Sequence, residues 1–335
     1  VPPPPTTRLA PSPTGALHLG NARTFLANWA LARRHAWRIV LRIEDLDTPR
    51  VKAGVIDQTI DLLSWLGIDW DEGPFVQSHD APLHRDAMRR LVEGGHAYHT
   101  TTTRSRLVAS GPGRAAPIEP SPQSAPQEGS HEARFPASLR PTTMPSHFDD
   151  APGAWRFTTP DAPPLDTVRF ADAFAGPQTH RPALTVGDFI VWTRRDASQP
   201  GQAAYQLAVV VDDHRQGVTH VVRGDDLLDS GARQLLLMRA LGLSPEPTYC
   251  HLPLVKGQDG RRLAKRHGDT RLDHYRAKGV TRERVVGLVA WWCGMVPHRQ
   301  PMDPREFRDR FTLDTMPKDA ITFAPEDDAW LLARI

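Results

Sequence analysis

From Thr6 to about Gly95, short apolar runs alternate with stretches whose apolar residues recur at helical spacing. The run Ile39-Val40-Leu41-Arg42-Ile43 predicts a buried strand, whereas Val55, Ile56, Ile60, Leu62, Leu63 and Leu66 fall on one face of a helix. Such alternation predicts an α/β protein with a parallel sheet covered by helices. The pattern then dissolves. From 109 to 152, Pro, Ser, Gly and charged residues follow one another without periodicity, the composition of a mobile insertion or loop. Arg156-Phe157 and Thr167-Val168-Arg169-Phe170 read as short strands of an inserted subdomain, and Asp188-Phe189-Ile190-Val191-Trp192-Thr193 as the strand that resumes the main sheet. A helix near Tyr205 to Val211, a strand His220-Val221-Val222-Arg223, a helix over Gln234 to Leu241 and a strand after Thr248 complete the second half. Beyond Leu272 the chain turns helical, with Val285, Val286, Leu288, Val289 and Trp292 on one apolar face, and no internal repeat is evident.

Composition narrows the class. A chain of 335 residues, 39% hydrophobic, holds enough material for one large or two ordinary domains. No run of about 18 apolar residues is present to span a membrane, and the Pro-rich start lacks the regions of a signal peptide. The expected address is cytoplasmic, with no membrane partner. Only Cys250 and Cys293 occur, too few for a disulfide framework or a cysteine zinc site, so both read as buried thiols. The formal net charge of +2 does not announce a nucleic-acid binder. Yet lysine occurs only at 52, 256, 265, 278 and 318, so arginine supplies most of the positive charge, and arginine suits phosphate and stacked-base contacts.

Candidate chemistry begins with Arg8-Leu9-Ala10-Pro11-Ser12-Pro13-Thr14-Gly15-Ala16-Leu17-His18-Leu19-Gly20-Asn21, which joins a short strand, a Pro-marked turn and a helix start. That arrangement puts glycines and a histidine where phosphates could meet free backbone donors. Far downstream, Arg261-Arg262-Leu263-Ala264-Lys265-Arg266-His267 follows another apolar run and the flexible stretch Lys256-Gly257-Gln258-Asp259-Gly260. Between them lie Arg42-Ile43-Glu44-Asp45-Leu46-Asp47-Thr48 and Val210-Val211-Asp212-Asp213-His214. Two acids and an imidazole could suggest a metal cluster, but consecutive residues cannot all point at one ion, and a structural role at a helix end competes with one near the substrate.

Taken in order, the four motifs resemble those of the class I aminoacyl-tRNA synthetases, whose two signatures are His-Ile-Gly-His and Lys-Met-Ser-Lys-Ser, and among these the glutamyl branch. The resemblance implies a Rossmann-type parallel sheet split by an inserted subdomain. The expected organisation is a first half of the catalytic domain over 1–95, an acceptor-type insertion over 96–185, a second half over 186–271 carrying the second signature, and a helical region over 272–335. It further implies ATP as substrate, with Mg2+ accompanying it. His18 and Lys265 are then the catalytic residues, and His18, Gly20, Asn21 and Lys265 the ATP-binding ones. Arg8, Ala10, Ser12, Glu44, Tyr205 and Arg223 are the counterparts of the glutamate-binding residues: arginines for carboxylate, an acid for ammonium.

Three departures from the family pattern are expected to leave activation intact. Asn21 stands in place of the last histidine of the first signature, and Ala264 in place of the serine between Leu263 and Lys265. Thr100 and Thr102 stand where relatives have the Cys-x-Cys that helps bind structural zinc, so no zinc is expected. Only some seventy residues follow His267, too few for the anticodon-binding region of the full-length branch. That brevity, and Arg223-Gly224-Asp225-Asp226-Leu227-Leu228 in place of Arg-x-Glu-Glu-Trp, resemble the short paralogues that attach glutamate to queuosine in the anticodon loop of tRNA(Asp). The expected partners are therefore ATP, L-glutamate and queuosine-bearing tRNA(Asp). A truncated enzyme charging tRNA(Glu), a catalytically silent tRNA-binding paralogue and a small-molecule adenylyltransferase remain alternatives.

Overall fold

The computed structural model describes residues 3–13, 17–46, 54–102, 134–194, 197–261, 263 and 269–333. Its main sheet has seven strands: β1 (Thr6–Leu9), β2 (Arg38–Ile43), β3 (Glu72–Val76), β6 (Val168–Asp172), β7 (Gly176–His180), β10 (His220–Gly224) and β11 (Thr248–Leu252). They lie in the order β3-β2-β1-β10-β11-β6-β7. All neighbours are parallel except β6 and β7, which form an antiparallel hairpin at the edge. Every residue of β1 and all but the first of β2 are buried, as expected for central strands covered on both faces.

One face carries α1 (Leu19–Arg34), α2 (Val55–Trp65) and the C-terminal helices α8 (Arg282–Trp292) and α9 (Pro304–Arg310). The other carries α3 (Ala81–Glu93), α5 (Tyr205–Arg215) and α6 (Leu228–Ala240), so the core forms as two clusters on either side of the sheet. The expected helices at 55–66, 205–211, 234–241 and beyond 272 are all present, the last including α7 (Leu272–Ala277) and α10 (Pro325–Leu332); α4 (Pro182–Thr185) is a single turn. Gly287 lets α8 pack closely: a Cβ there would lie 1.8 Å from the Gln300 carbonyl oxygen. Among the described residues no helix is long and apolar enough to cross a membrane.

A second, antiparallel sheet contains β4 (Ala97–Thr100), β5 (Gly153–Phe157), β8 (Ile190–Arg194) and β9 (Gln202–Ala203). Here the structure corrects two expectations. The strand at 188–193 does not resume the main sheet; as β8 it belongs to the second one, with Trp192 opposite Trp155. Phe148 packs edge-on against both indoles, at 5.1 and 5.3 Å, and Asp150 accepts from Trp192 Nε1 at 2.7 Å and from Arg85 Nη2 of α3 at 2.9 Å. That aromatic cluster decides where β8 docks. Conversely the strand at 167–170 is not part of the insertion: as β6 it extends the main sheet beside β11. An apolar run reveals burial, not which sheet buries it. Most of the stretch expected to be a mobile loop, 109–152, lies outside the described residues. From 134 onward it is described, and Phe135 is fully buried, bridged to Gly187.

The C-terminal region also contributes β13 (Ile321–Thr322), parallel to β12 (Val255–Lys256) in a two-stranded sheet at the base of the segment that carries the second signature.

Candidate functional site

The main sheet reverses its order between β1 and β10: the chain runs from β1 to β2 and β3 on one side, and to β10 and β11 on the other. In parallel sheets the crevice outside the carboxyl ends of the strands at such a reversal is where ligands bind. Arg8, Glu44 and Arg223 sit at or just past the ends of β1, β2 and β10. These three candidates thus converge on one crevice.

His18 is the N-cap of the sixteen-residue α1. Its Nδ1 accepts from the Gly20 backbone N–H at 3.1 Å, while Asn21 Oδ1 accepts from the His18 N–H at 3.1 Å, a reciprocal cap that fixes the imidazole against the helix terminus. Because Nδ1 is the acceptor, the neutral ring carries its proton on Nε2, a donor held at the positive end of a long helix. Asn21, expected at ATP, has its side chain committed to the cap. Gly20 suits the same geometry: a Cβ there would lie 3.0 Å from His18 Cε1, tight enough to press on the imidazole. The two signatures are neighbours. Leu19 N–H donates to Thr270 O at 3.0 Å and Leu272 N–H to Leu17 O at 2.8 Å, so the chain just beyond the second signature is tied to the first. Lys265 and Ala264 lie outside the described residues; Leu263 beside them is buried, its N–H donating to Val255 O at 3.1 Å.

The other half of the crevice is a cluster of buried charges. Asp213, on α5, lies 2.8 Å from Arg42 Nη1 and 3.4 Å from Arg8 Nε. Arg42 Nη2 donates to Glu44 Oε1 at 3.1 Å and Nη1 to Gln216 Oε1 at 2.8 Å. Arg8 Nη1 donates to Val222 O at 3.2 Å. The Glu44 N–H donates to Pro11 O at 3.0 Å, which ties the Ala10–Ser12 segment, half-buried at Ala10 and Ser12 and buried at Pro11, to the backbone of Glu44. Burial works against the charge on Arg42, but Asp213 and Glu44 prevail and hold its pKa above the arginine value. Burial pushes Arg8 the other way, helped by Arg42 and Arg223 and opposed by Asp213. Glu44 is raised by burial against the pull of Arg42 and Arg8. Tyr205, first residue of α5, is also raised by burial and interacts electrostatically with Arg223, Glu44, Arg8 and Asp213, so its hydroxyl belongs to the same cluster.

Arg223 differs from the other guanidiniums. It is buried (5% exposed), and its Nε, Nη1 and Nη2 donate to His251 Nε2 (2.9 Å), Gln234 Oε1 (2.9 Å) and Leu227 O (3.2 Å), with the Tyr249 ring 5.3 Å away. All of these are neutral, and among the described residues no carboxylate lies within 4.0 Å of it.

Asp212 and Asp213 diverge, as expected of neighbours on a helix. Asp212 turns beneath α3, accepting from Gln77 Nε2 at 2.8 Å and lying 3.2 Å from His84 Nε2, a tie between α3 and α5 with no access to the crevice. Among the described residues no group of three or more His, Cys, Asp or Glu could hold a metal ion. Where threonines stand in place of the Cys-x-Cys pattern, Thr100 Oγ1 accepts from the Thr102 N–H at 3.1 Å, and His99 Nε2 lies 3.0 Å from Pro152 O. Sequence reasoning missed Arg42, Asp213, Gln234 and His251 as residues of the site. Arg42 and Asp213 lie inside quoted motifs; Gln234 and His251 carry no local signal.

The family of tRNA synthetases class I (E and Q), catalytic domain, matches residues 6–326. The Glutamyl-Q tRNA(Asp) synthetase of Symbiobacterium thermophilum is 43% identical over 97% of this chain and 97% of its own length, and that of Rhodopirellula baltica 44% over 87% and 85%. A Glutamate--tRNA ligase from a Synechococcus strain is 35% identical over 98% of this chain and 67% of its own length. The crystal structure of the glutamate-tRNA synthetase from Elizabethkingia anophelis shares the fold, with a TM-score of 0.74 over 98% of this chain and 70% of that one at 24% identity.

Proposed function

The chain belongs to the class I tRNA synthetases of the glutamyl and glutaminyl type and is a ligase of that kind, and from this premise we propose that it activates L-glutamate with ATP and transfers it to queuosine at the wobble position of tRNA(Asp). The observation that carries the glutamate reading is Arg223, a buried cation whose described partners are all neutral. Among the described residues, Arg8 and Arg42 have carboxylate partners within 4.0 Å, Glu44 and Asp213, whereas Arg223 has only neutral ones. Glutamate, with two carboxylates and one ammonium, brings the missing negative charge. Arg223 and Arg8 take its carboxylates, Glu44 takes the ammonium, and Tyr205 with the Ala10–Ser12 segment lines the approach.

Activation joins a carboxylate oxygen of glutamate to the α-phosphorus of ATP, and the bond from that phosphorus to the bridging oxygen breaks, releasing pyrophosphate. The task is chiefly one of holding reactants and balancing charge. His18 donates from Nε2 to the phosphates at the α1 terminus, and Lys265, on the second signature, follows the departing pyrophosphate. Mg2+ enters as the counter-ion of ATP. In the second step a hydroxyl of queuosine attacks the activated carbonyl, an ester forms, and AMP leaves.

The queuosine acceptor is supported by the names of the two relatives at 43% and 44% identity, and by Arg223-Gly224-Asp225-Asp226-Leu227-Leu228. Radiolabelled glutamate is offered with ATP to tRNA(Asp) with and without queuosine, and to tRNA(Glu). Transfer only to the queuosine-bearing tRNA supports the proposal. Charging of tRNA(Glu) replaces it with the truncated-synthetase reading, and tRNA binding without pyrophosphate exchange with the silent one.

A further inference from the structure

Arg223 enters the crevice from β10, but the group that orients it stands one strand over. His251 is its register partner on β11, with Nε2 2.9 Å from Arg223 Nε. A guanidinium Nε is always a donor, so His251 Nε2 must present its lone pair and the ring proton must sit on Nδ1. Nδ1 faces Asp172 Oδ2 at 2.6 Å, on the last residue of β6. Asp172 is itself fixed: Oδ1 accepts from the backbone N–H groups of Phe174, Ala175 and His251 at 3.0, 2.7 and 3.1 Å. Neither side chain is exposed. Burial first, joined by the Arg223 charge and opposed by Asp172, pushes the imidazole down to about 4, so the ring stays neutral at working pH. Tyr249 completes the seat, stacking on His251 with 5.7 Å between ring centroids and lying under the guanidinium.

We propose that His251 and Asp172 are positioning residues for substrate recognition: Asp172 fixes the Nδ1–H tautomer of His251, and the neutral ring aims the Arg223 guanidinium at a carboxylate of glutamate without neutralising it. A carboxylate in place of His251 would pair with Arg223 and compete with the substrate. The imidazole supplies the hydrogen bond while keeping the Asp172 charge one ring further away. The inference rests on the glutamate-binding role proposed for Arg223.

The test is ATP–pyrophosphate exchange with L-glutamate varied, on the whole protein and on His251→Leu, His251→Gln and Asp172→Asn. Loss of a hydrogen bond to a charged group should raise the KM for glutamate in His251→Leu by about tenfold or more. The KM for ATP should stay within about twofold, because the residues proposed for the nucleotide, His18, Gly20 and Lys265, are not on β6, β10 or β11. His251→Gln, whose amide oxygen can accept from Arg223 Nε, should recover most of the loss, which a purely packing role for the ring would not predict. The 15N NMR spectrum of histidine-labelled protein should show His251 protonated on Nδ1 at neutral pH, and a mixed or reversed tautomer in Asp172→Asn. An unchanged glutamate KM in His251→Leu, or a wild-type His251 protonated on Nε2, overturns the inference while leaving the parent reading intact. A wild-type protein whose exchange ignores glutamate overturns both.

Discussion

Replacing Arg223 and replacing Arg42 should have opposite signatures, although both side chains are buried guanidiniums of one cluster. Arg42 is compensated by Asp213 at 2.8 Å and Glu44 at 3.1 Å, so Arg42→Leu strands the buried Glu44 carboxylate and leaves Asp213 only Arg8 at 3.4 Å. Breaking a buried pair from one side costs about 3–5 kcal/mol. Arg223→Leu strands no charge: it removes three hydrogen bonds from a charged donor, at about 1.5–3 kcal/mol each, and relieves the cost of burying a cation without a counter-ion, several kcal/mol in the opposite direction. These contributions oppose each other, and leucine keeps apolar bulk over Tyr249, so the net loss of stability should stay below that of Arg42→Leu. Glutamate use, by contrast, should fall by about 2–5 kcal/mol for Arg223→Leu, roughly 30-fold to several thousandfold in kcat/KM. Thermal unfolding of the free proteins and pyrophosphate exchange with glutamate varied read the two quantities separately. The reasoning is refuted if Arg223→Leu unfolds as early as Arg42→Leu while its response to glutamate is unaltered.

Lys265→Ala should slow pyrophosphate exchange by about 2–4 kcal/mol of transition-state stabilisation with little change in melting temperature; an unchanged exchange rate would remove the second signature from the mechanism. Asp212 is penalised by burial, but the hydrogen bond from His84, the Arg42 charge and Gln77 outweigh this and hold its pKa below the usual carboxylate range. The resulting stability is therefore present above the unfolded-state value and lost as pH falls through the lower folded one. The melting temperature should drop on acidification through that range, and Asp212→Asn should show a shallower drop; equal slopes would deny Asp212 the role. Melting temperature, and activity once Mg2+ is restored, should survive chelation that strips zinc, because Thr100 and Thr102 cannot supply the thiolates of a zinc site, and one stoichiometric zinc per chain after mild chelation would count against this.

Much of the fold was legible because burial imposes its own period. The runs around Ile39 to Ile43 and His220 to Arg223 became central strands of a sheet covered on both faces, and the face carrying Leu62 and Leu63 became the buried side of a helix. Arg8, Glu44 and Arg223 were legible as a set only through motif order, since each alone reads as a polar residue at a strand end. The cap formed by His18 and Asn21 could not be read, because a histidine is not among the usual N-cap residues. Sheet membership was not legible at two places, and one of them had a chemical consequence. Placing β6 in the insertion detached Asp172 from the catalytic sheet, leaving His251 as an isolated strand residue with nothing to fix its tautomer. The two lie 79 positions apart and meet only because β6 closes against β11, at the single register pair of Asp172 with Tyr249. The same long-range pairing that extends the sheet therefore supplies the acid behind His251 and Arg223. A motif search confined to neighbouring residues has no means of finding a site divided in that way.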